Sequence, residues 1–196
     1  MNRVRIAAAA AVVSFAALSV NVGGADDALA ATCPPPPTTV YPFTPWGDAR
    51  PYVPATGGSF EANQPAWTLS GGAAVVNDNE PFHVNKSTDS RALYLPPGSS
   101  ATSACVTAPG VVGVVRFFAR NSGVAGGQLR VDILVKGGVY PAGTISAANS
   151  WTPTPILAST APAYSGAVTY QIRLTPIGAG AAFTVDDVYF DPFKGR

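Results

Sequence analysis

The sequence predicts an all-β fold, an antiparallel sandwich or barrel, on three observations. Leu129, Val131, Ile133 and Val135 alternate with Arg130, Asp132 and Lys136, and Val168, Tyr170, Ile172 and Leu174 alternate with Thr169, Gln171 and Arg173. This period of two marks strands with one buried and one wet face. Further apolar runs at 67–70, 91–95, 114–120 and 183–190 are separated by turn clusters such as Pro96-Pro97-Gly98 and Gly126-Gly127. Beyond the N-terminal segment no window sustains an amphipathic helix, which excludes an α/β fold.

In chain order, the first element is a secretory signal over residues 1–30. Arg3 and Arg5 give a positive start, Ile6 to Val20 is apolar, and Ala28-Leu29-Ala30 supplies the small residues of a cleavage site, with cleavage after Ala31 as the second choice. That apolar run falls short of the ~20 residues a membrane-spanning helix needs, and no other segment approaches it. The expected product is secreted or held at the cell envelope, and is not membrane-spanning. A lipid anchor is disfavoured because Thr32, not a small residue, precedes Cys33. In an oxidising compartment Cys33 and Cys105 form one disulfide. A loop of this length stabilises by roughly 4 kcal/mol in the chain-entropy description.

Residues 31–56 form a Pro-rich extended arm. Pro34 to Pro37, Pro42, Pro45, Pro51 and Pro54 exclude a helix or a central strand, and Tyr41, Phe43, Trp46 and Tyr52 favour an arm lying against the domain. The remaining 57–196 make one β domain. It opens on Gly58-Ser59-Phe60-Glu61, with Trp67 expected in the core, and closes on Thr184 to Val188. These ends read as terminal strands that meet, with carboxylates close enough to share a cation. In the closing strand Phe183 and Val185 share one phase and Val188 and Phe190 the other. Such a slip marks a bulge or a strand covered on both faces.

Catalytic chemistry is thinly represented. The chain has one histidine, His83, and two glutamates, Glu61 and Glu80. No G-x-S-x-G elbow marks a nucleophile. Adjacent Asp186 and Asp187 point to opposite faces and make a poor glycosidase pair. One histidine and two bridged cysteines cannot build a zinc site. A net charge of +1 without a basic stripe argues against nucleic acid. Binding is easier to support, because sugar rings lie on aromatic side chains while polar groups orient their hydroxyls. The candidate ligand-binding residues are Tyr94, Tyr140, Trp151 and Tyr164, in or beside turn-rich stretches, with His83. Phe117 and Tyr170 share phase with aliphatic residues and belong to the core. Asn77-Asp78-Asn79-Glu80 reads as a solvated turn.

The segments 58–61, 67–72 and 183–188 together resemble the galactose-binding-like β-jelly roll of many carbohydrate-binding modules. The set 79–84, 95–102, 116–119 and 186–192 is similar to a family of small exported actinobacterial proteins, from about Pro45 onward. The resemblance implies a jelly-roll sandwich and a structural calcium held by Glu61 with Asp186 or Asp187 and backbone carbonyls. The alternative is that backbone N–H groups or arginines hold these carboxylates. The expected function is a secreted, non-catalytic module with a glycan ligand from the cell wall or environment. A structural or protein-interaction role in the envelope is the second reading, and a hydrolase the third. Mass spectrometry of the exported protein should find Ala31 as the first residue.

Overall fold

The computed structural model describes Cys33 and residues 38–61, 66–110 and 113–191. The signal segment, its cleavage site and Pro34 to Pro37 lie outside these. Among the described residues, thirteen strands follow a 3-10 turn at Thr44–Trp46. They are β1 (Val53–Pro54), β2 (Trp67–Ser70), β3 (Ala74–Asn77), β4 (Arg91–Leu95), β5 (Ser100–Ser103), β6 (Val106–Pro109), β7 (Val114–Asn121), β8 (Gln128–Val135), β9 (Gly138–Ile145), β10 (Thr152–Pro153), β11 (Leu157–Ala158), β12 (Ala167–Ile177) and β13 (Phe183–Asp191).

Two antiparallel sheets result. The first runs β10-β7-β13-β4-β3, with β1 pairing on β13 and β11 on β7, and the second runs β2-β5-β12-β8-β9, with β6 pairing on β12. Their inner faces share one core, in which Leu93, Phe117, Val185 and Phe190 of the first sheet join Val131, Ile133, Ile172 and Leu174 of the second. The period-two residues of β8 and β12 therefore face inward as their alternation requires. Trp67, Phe117 and Tyr170 are buried, as expected.

The first sheet is covered on its outer side as well. Phe43 and Tyr52 lie fully buried against Phe118 and Tyr189, which point outward from β7 and β13, and Trp46 and Trp151 close the edges of this second cluster. A guanidinium fixes it in place. Arg116 donates to Asp48 at 2.7 Å and twice to the Thr154 carbonyl, and stands 4.1 Å from the Phe43 ring centre. Burial pulls the Asp48 carboxyl upward, but the Tyr52 hydroxyl and Arg116 outweigh it and hold it below its ordinary value. The disulfide Cys33–Cys105 ties the start of the described chain to the turn after β5.

Consequently β13 is buried along its whole length. Its register against β7 shifts between Asp186 and Tyr189, and Asp187 adopts a left-handed φ of 46°. The phase slip in the sequence is thus a bulge in a strand covered on both faces. The opening motif differs from expectation. Gly58-Ser59-Phe60-Glu61 is a turn and not a strand, although it does meet β13: Val188 N–H donates to the Gly58 carbonyl at 3.1 Å and Ala55 N–H to the Val188 carbonyl at 2.8 Å. A turn forms because the bulge turns backbone groups away from the regular ladder, and a tight loop can reach them where a paired strand cannot. A Cβ on Gly58 would stand 2.9 Å from both the Ala55 and Val188 carbonyl oxygens. Gly58→Ala is therefore expected to destabilise by about 1–3 kcal/mol, whereas Ser59→Ala should stay within about 0.5 kcal/mol in denaturant unfolding.

Candidate functional site

The outer side of the first sheet presents Tyr41 and Phe82, the exposed aromatic rings among the described residues. Tyr41, Pro42, Pro45 and Trp46 from the N-terminal segment face Phe82 and Val84 from the β3–β4 connection, enclosing a groove of about 470 Å³. Tyr41 is 59% exposed and Phe82 43%. The floor is firm. Trp46 meets Phe82 edge-on at 5.0 Å, both rings lie against Phe118, and Phe118 stacks on Phe43 at 5.4 Å.

The loop carrying Phe82 is built around Glu80. Its side-chain oxygens accept the N–H groups of Phe82 and Val84, its own N–H donates to Asp186, and it is 1% exposed. The expected solvated turn at 77–80 is therefore half wrong. Asn77 is exposed, but Glu80 is an internal anchor, since a buried carboxylate supplies the acceptors that a tight 80–84 loop cannot find in a ladder. His83 is exposed on this loop with its Nδ1 3.3 Å from the Asn79 amide. That contact orients the ring and activates no nucleophile.

Beside the groove, cross-strand register aligns a polar row. Tyr94 pairs with Thr184, and Thr184 with Arg120. Arg120 forms an ion pair with Asp78 and lies 5.6 Å from the Trp151 ring centre, while the Thr184 and Ser122 hydroxyls meet at 2.7 Å. Tyr94, Trp151 and His83 thus belong to one side of the molecule. Tyr140 and Tyr164 do not join them. Both pack against the main core from the β9 edge, because Tyr140 shares the inward phase with Ala142. Burial, followed by the neighbouring Tyr140, pushes the Tyr164 hydroxyl up to about 12. Tyr41, Trp46 and Phe82, which line the groove, are not nominated by the sequence. Their spacing among prolines announced packed aromatics but not which ring faces water.

The proposed metal residues also converge without forming a cage. Glu61 Oε1 accepts the N–H groups of Ser90 and Arg91 at 2.7 and 2.6 Å. Asp186 accepts from Glu80 N–H and Asp187 N–H. The Asn85 backbone N–H works to lower the Asp187 carboxyl. Calcium wants six to eight oxygens, yet among the described residues no three His, Cys, Asp or Glu side chains gather to hold a metal. As arranged, backbone N–H groups occupy oxygens of Glu61 and Asp186.

Among the described residues no helix is long and apolar enough to cross a membrane. No protein-family model matches the chain, and no curated protein sequence does. Several solved structures resemble it. A family 61 carbohydrate-binding module in complex with β-1,4-galactotriose is 17% identical over 72% of this chain and 95% of that one, at a TM-score of 0.42. The CBM22-1 xylan-binding domain from Paenibacillus barcinonensis Xyn10C is 15% identical over 70% of this chain and 93% of that one, at 0.46. A family two carbohydrate esterase from Cellvibrio japonicus is 11% identical over 66% and 31%, at 0.40. The ligands and activity named there belong to those proteins, and the two-sheet architecture of this chain stands on its own strand register.

Burial raises the Asp186 carboxyl to about 9, helped by the charge of Asp187. Burial and then the charges of Glu80 and Asp89 raise Asp187 to about 7. A carboxyl raised above its unfolded value of 3.8 stabilises the fold below that value, and the stabilisation is lost as pH climbs through the folded value. Without added cations, thermal unfolding should therefore occur at a higher temperature near about pH 4 than near about pH 8, and Asp187→Asn should flatten this slope below about pH 7.

Proposed function

We infer that the chain is an exported, non-catalytic carbohydrate-binding module, with its glycan seated on the Tyr41–Trp46–Phe82 groove. The carrying observation is that Phe82 stands exposed and Trp46 half-buried in the groove, and that Phe118, itself stacked on Phe43, locks both from beneath. Large apolar rings held open to water gain from any partner that covers them. Rings already fixed by packing lose little conformational freedom when a ligand arrives. A pyranose offers an apolar face to such a platform, and its hydroxyls can meet His83 and Asn79 at the rim. The titratable groups nearby are anchors of the fold: Glu80 holds its own loop, and Asp48 holds Arg116. That supports binding without turnover. The disulfide supports export to an oxidising compartment. Calcium enters this reading only as a ligand that displaces backbone N–H groups from Glu61 and Asp186.

The second reading, a protein-interaction role in the envelope, draws on the same groove, whose Pro42, Pro45 and Val84 walls are apolar. Affinity electrophoresis through gels containing neutral polysaccharides, with pull-down on cell-wall preparations, separates the two. The wild-type chain should be retarded on at least one glycan, and the Tyr41→Ala/Phe82→Ala double variant should lose about tenfold in affinity, equivalent to ~1.4 kcal/mol. Both rings are exposed enough for the variant to fold, which near-ultraviolet circular dichroism would verify. Retention on no glycan, together with cross-linking of the groove to one envelope protein, would transfer the function to the second reading.

A further inference from the structure

We propose that the outer face of the second sheet is a separate site for a carboxylate-bearing polysaccharide. Register places Thr68, Thr102, Arg173 and Asp132 in one row across β2, β5, β12 and β8. The adjacent row contains Ser70, Ser100, Thr175 and Arg130. All project away from the core, since Leu129, Val131, Ile172 and Leu174 occupy the other phase.

Two guanidiniums share one carboxylate at the centre of this face. Arg130 Nε and Arg173 NH2 each donate to Asp132 Oδ2 at 3.0 Å. The Asp132 side chain is 4% exposed, whereas those of Arg130 and Arg173 are 42% and 27% exposed. One oxygen thus anchors two cations, leaving a net positive charge on two partly exposed guanidiniums. A cross-strand ion pair needs only one arginine to stabilise a sheet. The Arg173 Nε is buried and meets no acceptor, so the carboxylate does not satisfy every donor of its two arginines.

A shallow hollow continues the surface along β12, past Gln171 and Thr169 to Lys136 at the β8–β9 turn. At the rise of a strand, Arg173 and Thr169 are about 13 Å apart, so the face offers an extended track with cations at both ends. A planar fork is the geometric complement of a carboxylate. Serine and threonine hydroxyls both donate and accept, as sugar hydroxyls do. None of the described outward residues in these two rows is aromatic, which disfavours base stacking and hence single-stranded nucleic acid. The ligand class that remains is a uronate-containing glycan. This site does not depend on the aromatic groove, which lies on the other sheet.

Affinity electrophoresis with polygalacturonate at low ionic strength tests it, with the fully methyl-esterified polymer and dextran sulfate as comparisons. The wild-type chain should be retarded by polygalacturonate, less so as salt rises, and not by the ester. Arg130→Gln/Arg173→Gln should weaken retention at least about tenfold, while Tyr41→Ala/Phe82→Ala should leave it unchanged. Should the arginine pair be needed for folding, Arg130→Gln/Lys136→Gln, at two more exposed positions, should still weaken retention several-fold. No retardation, equal retardation by the ester, or arginine variants indistinguishable from wild type would overturn the site. Tighter, arginine-dependent binding of dextran sulfate would overturn its assignment to carboxylates.

Discussion

Strand β13 has no wet face, and much of the rest of the structure answers to that constraint. Its inner residues Phe183, Val185, Val188 and Phe190 build the core, while Thr184, Asp186 and Tyr189 point to the outer side, where a two-sheet sandwich would ordinarily meet solvent. Something must cover that side and also satisfy its polar atoms, because a buried donor or acceptor without a partner costs about 1–3 kcal/mol. The N-terminal segment supplies the cover through Phe43 and Tyr52. The 78–90 connection supplies a hydrogen bond, through the Glu80 N–H on Asp186.

Covering β13 creates the aromatic groove as a consequence. Phe118 is sealed between Phe43 on one side and Trp46 and Phe82 on the other, so the outermost rings rest on a floor that is itself part of a core. Carboxylates do the fastening throughout. Asp48 holds Arg116 over Phe43, Glu80 shapes the loop that presents Phe82, and Glu61 caps the start of β4 through the Ser90 and Arg91 N–H groups. Most of these acids are removed from solvent, which explains how a chain with 12% charged residues devotes so many of its acids to architecture.

The two outer faces consequently differ in chemistry. The first sheet is overlaid and ends in rings, whereas the second stays bare and carries hydroxyls with the Arg130–Asp132–Arg173 triad. Such a division gives a single domain two independent surfaces, one suited to apolar sugar faces and one to anionic groups.

By itself the sequence determined the features that depend on neighbours along the chain. The alternation in β8 and β12, the turn clusters between strands, the slip at Asp186-Asp187 and the pairing of the only two cysteines each follow from local pattern or from elimination. Tertiary structure decided which polar and aromatic groups face water. Glu80 looks like part of a hydrophilic turn and Tyr140 like a loop aromatic, yet one is an internal acceptor and the other an inward-facing edge residue. Phe82, on which local pattern is silent, stands open. The physical reason is that periodicity reports a side chain's phase relative to its own strand. Exposure on a covered sheet is set by segments that arrive from elsewhere in the chain, here by residues 40–54 folding back over β7 and β13.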